Sequence, residues 1–268
     1  MKNHKVLLYR RGGLGDTLLT FPLLEALKRE DYYIVYLGQE EYVRLAKLCG
    51  WADEALSSEY LSYFMNEPFD RKIIISMEGN LEPFPRERIW LPQYYLEKLG
   101  LPKKFSPILP IAQRELPRKK IALIHPGSGS PKKNPPMELF ERIEAFLKTW
   151  EYEVFYLAGE AEQWLLSQKK NVLFSKDLLE VTKIFRLVDI YVGNDSGISH
   201  LASYLGVSSY LFYGPTDEVV FKPIGTNYRI LTLPLPCRPC FPETCESRSC
   251  LDGELLWEVF LKNFTQAL

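Results

Sequence analysis

DIYVGNDSGISHLASYLG, residues 189–206, opens with a short β-branched run and closes with a helix-forming run, and a polar Gly-containing turn joins the two. Strand, turn and helix within so few residues is the repeating unit of a parallel sheet with helical crossovers. The same alternation extends outward in both directions. Downstream, a strand is expected at 209–213. Upstream, strands are expected at 121–125, 153–158 and 172–174, with helices at 136–150, 160–168, 178–187 and 198–205. Nearer the N-terminus the plan begins again with a strand at 5–9, a Gly-rich turn and a helix through Arg29. A strand at 33–37, a helix at 40–49 stopped by Gly50 and a strand at 71–76 follow. The density of proline and charge over 78–93 reads as a long loop, and a short helix at 94–99 ends at Gly100. The expected class is α/β, with doubly wound parallel sheets.

At about 150 residues per domain, 268 residues make two compact units or one large one. Pro102, Pro107, Pro110 and Pro117, followed by basic Arg118, Lys119 and Lys120, have the composition of a linker. The expected boundary lies near 117, giving units 1–116 and 117–268. Apolar types at 46% and charged types at 25% are those of a globular chain rather than a disordered one. With 33 basic and 34 acidic residues, the net charge of -1 supplies no general attraction to nucleic acid. The apolar run at 6–9 is too short for a signal-peptide core, and no stretch approaches the roughly 20 apolar residues of a membrane span. A cytoplasmic protein is expected.

Three turns carry candidate chemistry. In RRGGLGD (10–16), Gly12, Gly13 and Gly15 permit close backbone approach, and Asp16 falls at a helix start, where its carboxylate can cap the helix or act on a ligand. The run lacks the G-x-G-x-x-G order and no acidic residue closes the next strand, which disfavours a dinucleotide. In IHPGSGSPKKNPP (124–136), backbone amides, hydroxyls, Lys132 and Lys133 suit an anion, although the Walker spacing is absent. In GNDSGISH (193–200), the Ser196 hydroxyl, Gly197 and the free amides of a helix start suit a diphosphate. Asp195 beside them would repel phosphate, so it is expected to bond sugar hydroxyls or to polarise a neighbouring group. His200 reads first as a histidine satisfied within the fold, and as a further candidate for the donor-binding set.

The order of RRGGLGDTLLTFPLLEALK, IHPGSGSPKKNPPMELF, YLAGEAE and GNDSGISHLASYLGVSSYLFYGPTD, spanning Val6 to about Pro223, resembles the lipopolysaccharide heptosyltransferases of glycosyltransferase family 9. The resemblance implies two facing Rossmann-like domains, the GT-B fold, with a ligand cleft between them. It also implies inverting transfer of heptose from ADP-heptose to a saccharide or lipid-linked saccharide acceptor, with no cofactor required for catalysis. Asp16 matches the base that takes the acceptor proton, with Gly13 and Gly15 in an acceptor or phosphate loop. Ser196 and Gly197 match the diphosphate-binding pair, Asp195 the acid near the donor sugar, and Lys133 the diphosphate-gripping lysine, with Lys132 one register away. Glu162, or Glu160, matches the acid on the donor ribose. A lipid-linked acceptor would require peripheral contact with the inner membrane face.

Four of five cysteines crowd into Cys237, Cys240, Cys245 and Cys250. Four thiolates suffice for structural zinc, but the spacing is not that of a standard finger, and local disulfides or free thiols fit as well. The amphipathic stretch Glu254 to Leu268, with Trp257 and Phe260, resembles the C-terminal helix that packs back across the domains in this fold, and its aromatic stripe reads as core rather than membrane anchor. Two other functions share the family features: a GT-B nucleotide-sugar epimerase, and a non-catalytic nucleotide-sugar binding protein, against which the presence of Asp16 argues.

Overall fold

The computed structural model describes residues 4–115, 119–240 and 245–266. The chain divides into two compact units, Met1–Ile111 and Ala112–Leu268. Pro117, at the expected boundary, lies outside the described residues.

Unit 1 runs β1 (Lys5–Arg10), α1 (Leu14–Leu18), α2 (Phe21–Arg29), β2 (Tyr33–Gly38), α3 (Glu40–Leu48), β3 (Glu54–Ser57), α4 (Leu61–Asn66), β4 (Arg71–Ile75) and α5 (Leu91–Lys98). Its strands form one parallel sheet in the order β3-β2-β1-β4. The single helix expected through Arg29 is two. Pro22 sits in the first turn of α2, where its missing N–H is no loss, and the Thr20 hydroxyl bonds the Thr17 carbonyl at 2.7 Å and Tyr36 Oη at 2.8 Å at the break. Gly50 and Gly100 end α3 and α5 at φ of 73° and 66°, the left-handed conformation that glycine adopts without strain. The strand β3 and helix α4 have no fully buried residue. The half-buried side chains of β3 and the mostly exposed ones of α4 leave no clear apolar period in the sequence.

Unit 2 runs β5 (Lys120–His125), α6 (Met137–Thr149), β6 (Tyr152–Ala158), α7 (Leu165–Gln168), β7 (Val172–Phe174), α8 (Leu178–Phe185), β8 (Ile190–Asn194), α9 (Gly197–Tyr204), β9 (Ser208–Phe212), β10 (Tyr228–Leu231) and α10 (Gly253–Thr265). All six strands are parallel, in the order β10-β9-β8-β5-β6-β7. The helix expected over 160–168 is a 3-10 turn, Glu160–Glu162, followed by the short α7. The core joins the sheet to α6 and α10 through Ile124, Phe140, Ile143, Tyr156, Phe212, Leu256, Trp257, Phe260 and Phe264.

Both sheets reverse direction beside their first strand. In unit 1 the reversal lies between β1 and β4, and in unit 2 between β5 and β8. In open parallel sheets, loops leaving the carboxyl ends of strands at such a reversal splay apart and leave room for a ligand.

Candidate functional site

The loops at the two reversals are the ones singled out from sequence. In unit 1, β1 leads through Gly12 and Gly13 into α1, and Asp16 lies in the first turn of that helix. Its Oδ2 accepts the Gly13 amide at 3.0 Å and its Oδ1 accepts Arg10 Nη2 at 2.7 Å. The Arg10 side chain is only 7% exposed and its guanidinium lies 5.6 Å from the centre of the Phe84 ring. Arg10 therefore fixes the carboxylate from below while about a third of the Asp16 side chain stays open. A Cβ on Gly12 would fall 2.8 Å from Asp16 Cβ and 2.9 Å from its Oδ2, so glycine at 12 is what lets the acid fold over the loop. The Gly13 amide is engaged by Asp16 and Gly15 lies within α1. Gly13 thus helps set the acid's position, while Gly15 stands in the first turn of α1.

In unit 2, β8 delivers Asn194, Asp195 and Ser196 to the start of α9. Ser196 caps that helix, its Oγ accepting the Ser199 amide at 3.2 Å. The amides of Gly197 and Ile198 lie in the first turn, ahead of the intrahelical bonds, where the helix dipole favours an anion. Asp195 Oδ2 accepts Lys133 Nζ at 2.8 Å and the Thr216 hydroxyl at 2.5 Å. Lys133, a quarter exposed, is therefore the lysine seated at Asp195, while Lys132 is exposed on the surface. Two asparagines join the loops: Asn194 Nδ2 donates to the Pro126 carbonyl at 3.2 Å and to Asn134 Oδ1 at 2.7 Å, and Ser128 Oγ donates to the same Asn134 oxygen at 2.6 Å. The loop after β5 is thereby tied to the loop after β8.

Glu162 closes a third side. It is 5% exposed, its Oε2 accepts the Gly159 amide at 3.1 Å, and His125 Nε2 lies 3.6 Å from the same oxygen. A Cβ on Gly127 would fall 1.9 Å from Glu162 Oε1, so the acid lies flat on the glycine turn after β5. Burial pushes the Glu162 carboxyl up, but the neighbouring His125 ring and the Gly159 amide outweigh it and hold it below the ordinary glutamate range. Glu160, by contrast, is exposed and paired with Lys176 at 2.7 Å. His200 is buried in α9, with its backbone amide on the Ser196 carbonyl at 3.2 Å.

Unit 2 thus brings Lys133, Asp195, Ser196 and Gly197 together and sets Glu162 beside the same glycine loop. Asn134, Asn194, His125 and Thr216 were not named from sequence. Thr216 had a signal in YGPTD, but that a hydroxyl there reaches Asp195 is a tertiary fact.

Among the described residues, no group of three or more His, Cys, Asp or Glu side chains is placed to hold a metal ion. Cys250 is buried beside Gly214, whereas Cys237 is exposed. Burial, then the neighbouring cysteines, raise the thiols of Cys240 and Cys250.

The family model described as glycosyltransferase family 9 (heptosyltransferase) matches residues 97–250, more than half of the chain and all of the unit 2 loops above. The chain belongs to glycosyltransferase family 9. Within this family 9 chain, Asp16 lies outside the matched span. The lipooligosaccharide heptosyltransferase 2 of Campylobacter jejuni is 29% identical over 165 residues, covering 56% of this chain and 51% of that protein. The chain so spans about half the length of the curated relatives it matches. A family 9 glycosyltransferase from Veillonella parvula has the same fold at a TM-score of 0.74 and 16% identity, covering 99% of both chains. The Escherichia coli heptosyltransferase WaaC, solved with ADP, superposes at a TM-score of 0.66 and 15% identity over 98% of this chain and 99% of its own. The fold is therefore that of the GT-B heptosyltransferases, with a Rossmann-like parallel sheet in each unit.

Proposed function

We propose that this family 9 chain is an inverting glycosyltransferase that moves heptose from ADP-heptose to a lipopolysaccharide core or related surface saccharide. The observation that carries this reading is the Lys133–Asp195 pair at the start of α9, where a cation and free helix amides meet at a sheet reversal. A departing nucleoside diphosphate gains negative charge on its bridging oxygen, and preset cations and amides stabilise that charge without reorganising. The acceptor hydroxyl oxygen forms the new bond to the anomeric carbon as the bond to the diphosphate oxygen breaks. The hydroxyl proton passes to the Asp16 carboxylate. Glu162, ionised and backed by His125, suits the ribose hydroxyls of the donor. In this reading Lys133 and the α9 amides stabilise the leaving group, and no metal is assigned a step.

ADP is favoured as the nucleotide because the WaaC relative holds it. The chain is placed in the cytoplasm, with passing contact at the inner membrane face if the acceptor is lipid-linked. Among the described residues no helix is long and apolar enough to cross a membrane.

A thermal-shift panel of ADP, UDP and GDP tests the donor, because a ligand that binds only the folded state raises the melting temperature by mass action. ADP is expected to raise it most; no shift with any of the three overturns the reading. Incubation with ADP-heptose then separates the activities. Consumption only when acceptor is present marks the transferase. Conversion of donor alone would mark an epimerase, and binding without turnover a sugar-nucleotide binding protein.

A further inference from the structure

Arg238, between Cys237 and Cys240, belongs to a motif that neither donor nor acceptor chemistry uses, yet its contacts lead back to the donor pocket. Its side chain is 6% exposed and each of its three nitrogens has a partner. Nε donates to the Gly214 carbonyl, Nη1 to the Leu233 carbonyl at 3.2 Å, and Nη2 to the Thr216 carbonyl at 3.4 Å and to Glu218 Oε2 at 3.0 Å. Beside it the Cys240 amide donates to the Pro215 carbonyl at 2.9 Å. From the other end of the Cys-rich segment, Leu251 and Cys250 press on Gly214, where an added Cβ would fall 2.5 Å from Leu251 Cδ2 and 3.4 Å from Cys250 Sγ. The turn at 214–218 is therefore gripped along its outer side by backbone and side-chain atoms of the segment. On its inner side the same turn hands the Thr216 hydroxyl to Asp195, which shares its oxygen with Lys133.

We propose that Arg238 is a positioning residue of the donor site, acting through Thr216, and that with Cys240, Cys250 and Leu251 it forms a clasp that holds the 214–218 turn in place. This deepens the donor reading and rests on it. Asp195 is a carboxylate beside a site meant for phosphate, so it must be kept turned toward Lys133. Two donors on one oxygen do this. If the turn drifts outward, Thr216 leaves, the carboxylate gains rotational freedom, and the Lys133 ammonium loses the anchor that aims its remaining N–H bonds at the diphosphate. Arginine suits the task because its planar fork spreads its donors over acceptors too far apart for the three donors of a lysine ammonium, which sit on one atom.

The test measures ADP binding by calorimetry on the full chain, with Thr216→Val, Arg238→Ala, Arg238→Lys and the double variants. Thr216→Val and Arg238→Ala are each expected to weaken ADP by about tenfold. The double variant should be no weaker than the weaker single, because both remove the same contact. Losses that multiply in the double variant would mean that Arg238 acts independently of Thr216, and ADP binding unchanged in the arginine variants would remove it from the site altogether. Either result overturns the clasp while leaving the donor reading intact. Wild-type chain that binds no ADP overturns the donor reading and the clasp with it. Should Arg238→Ala fail to fold, Arg238→Lys and its double with Thr216→Val give the same comparison.

Discussion

Asp16 shows how much a single side chain depends on its immediate surroundings. Its carboxylate is aimed by Arg10 and the Gly13 amide and is given room by Gly12. Replacing Asp16 with Asn is expected to abolish transfer while ADP affinity, measured by calorimetry, stays within a few fold. Gly12→Ala drives a methyl group against Asp16 Cβ, and a displacement of that kind costs on the order of 100-fold in rate. A steady-state assay should show kcat falling with ADP affinity unchanged. Glu162 makes a pH prediction. Its carboxyl is held below the ordinary value of 4.5 in the folded chain, so its contribution to stability is present above that value and is lost as pH falls through the lower folded value. Melting temperatures of wild type and Glu162→Gln should differ at neutral pH and converge as the solution is acidified below 4.5. Asp16, Lys133, Asp195 and Ser196 were legible as candidates because each sits at a strand-to-helix turn, where local chemistry and fold agree, whereas Glu162 entered only through the family resemblance. Arg238 and Thr216 were not, because their partners lie 22 residues and 21 residues away and only folding brings them together.

Helix ends and interruptions explain where the elements departed from expectation. Proline at 22 and the inward Thr20 hydroxyl divide what the apolar spacing alone presents as one helix. At 160–168 the Glu162 side chain turns back to the Gly159 amide and caps the start of a turn of three residues, so one carboxylate both shapes the local backbone and faces the glycine loop. Strand β10 was missed because only Leu231 of its four residues is buried, leaving no alternation to read. The start of α10 is legible: Asp252 caps it by accepting the Leu255 amide at 2.9 Å. Removing such a cap costs about 1 kcal/mol, and Asp252→Ala should lower the urea midpoint by a corresponding amount with no change in ADP affinity.

Across the molecule, the doubly wound class was readable from the alternation of strands and helices, since parallel sheets impose it. The strand order was not, because pairing between distant strands leaves no local mark. The core of unit 2 shows what that distance entails. Phe260 and Phe264 of α10 pack on Tyr210 and on Phe146 of α6, and Phe260 is fully buried. Truncating it to alanine should cost about 3–5 kcal/mol, read as an early loss of unit 2 in thermal melts. Because β5 finds β8 and α6 finds α10 only after long intervening stretches have emerged, a nascent chain leaving the ribosome would carry an uncovered apolar sheet until its final helix arrived. That interval is when a chaperone would be most needed.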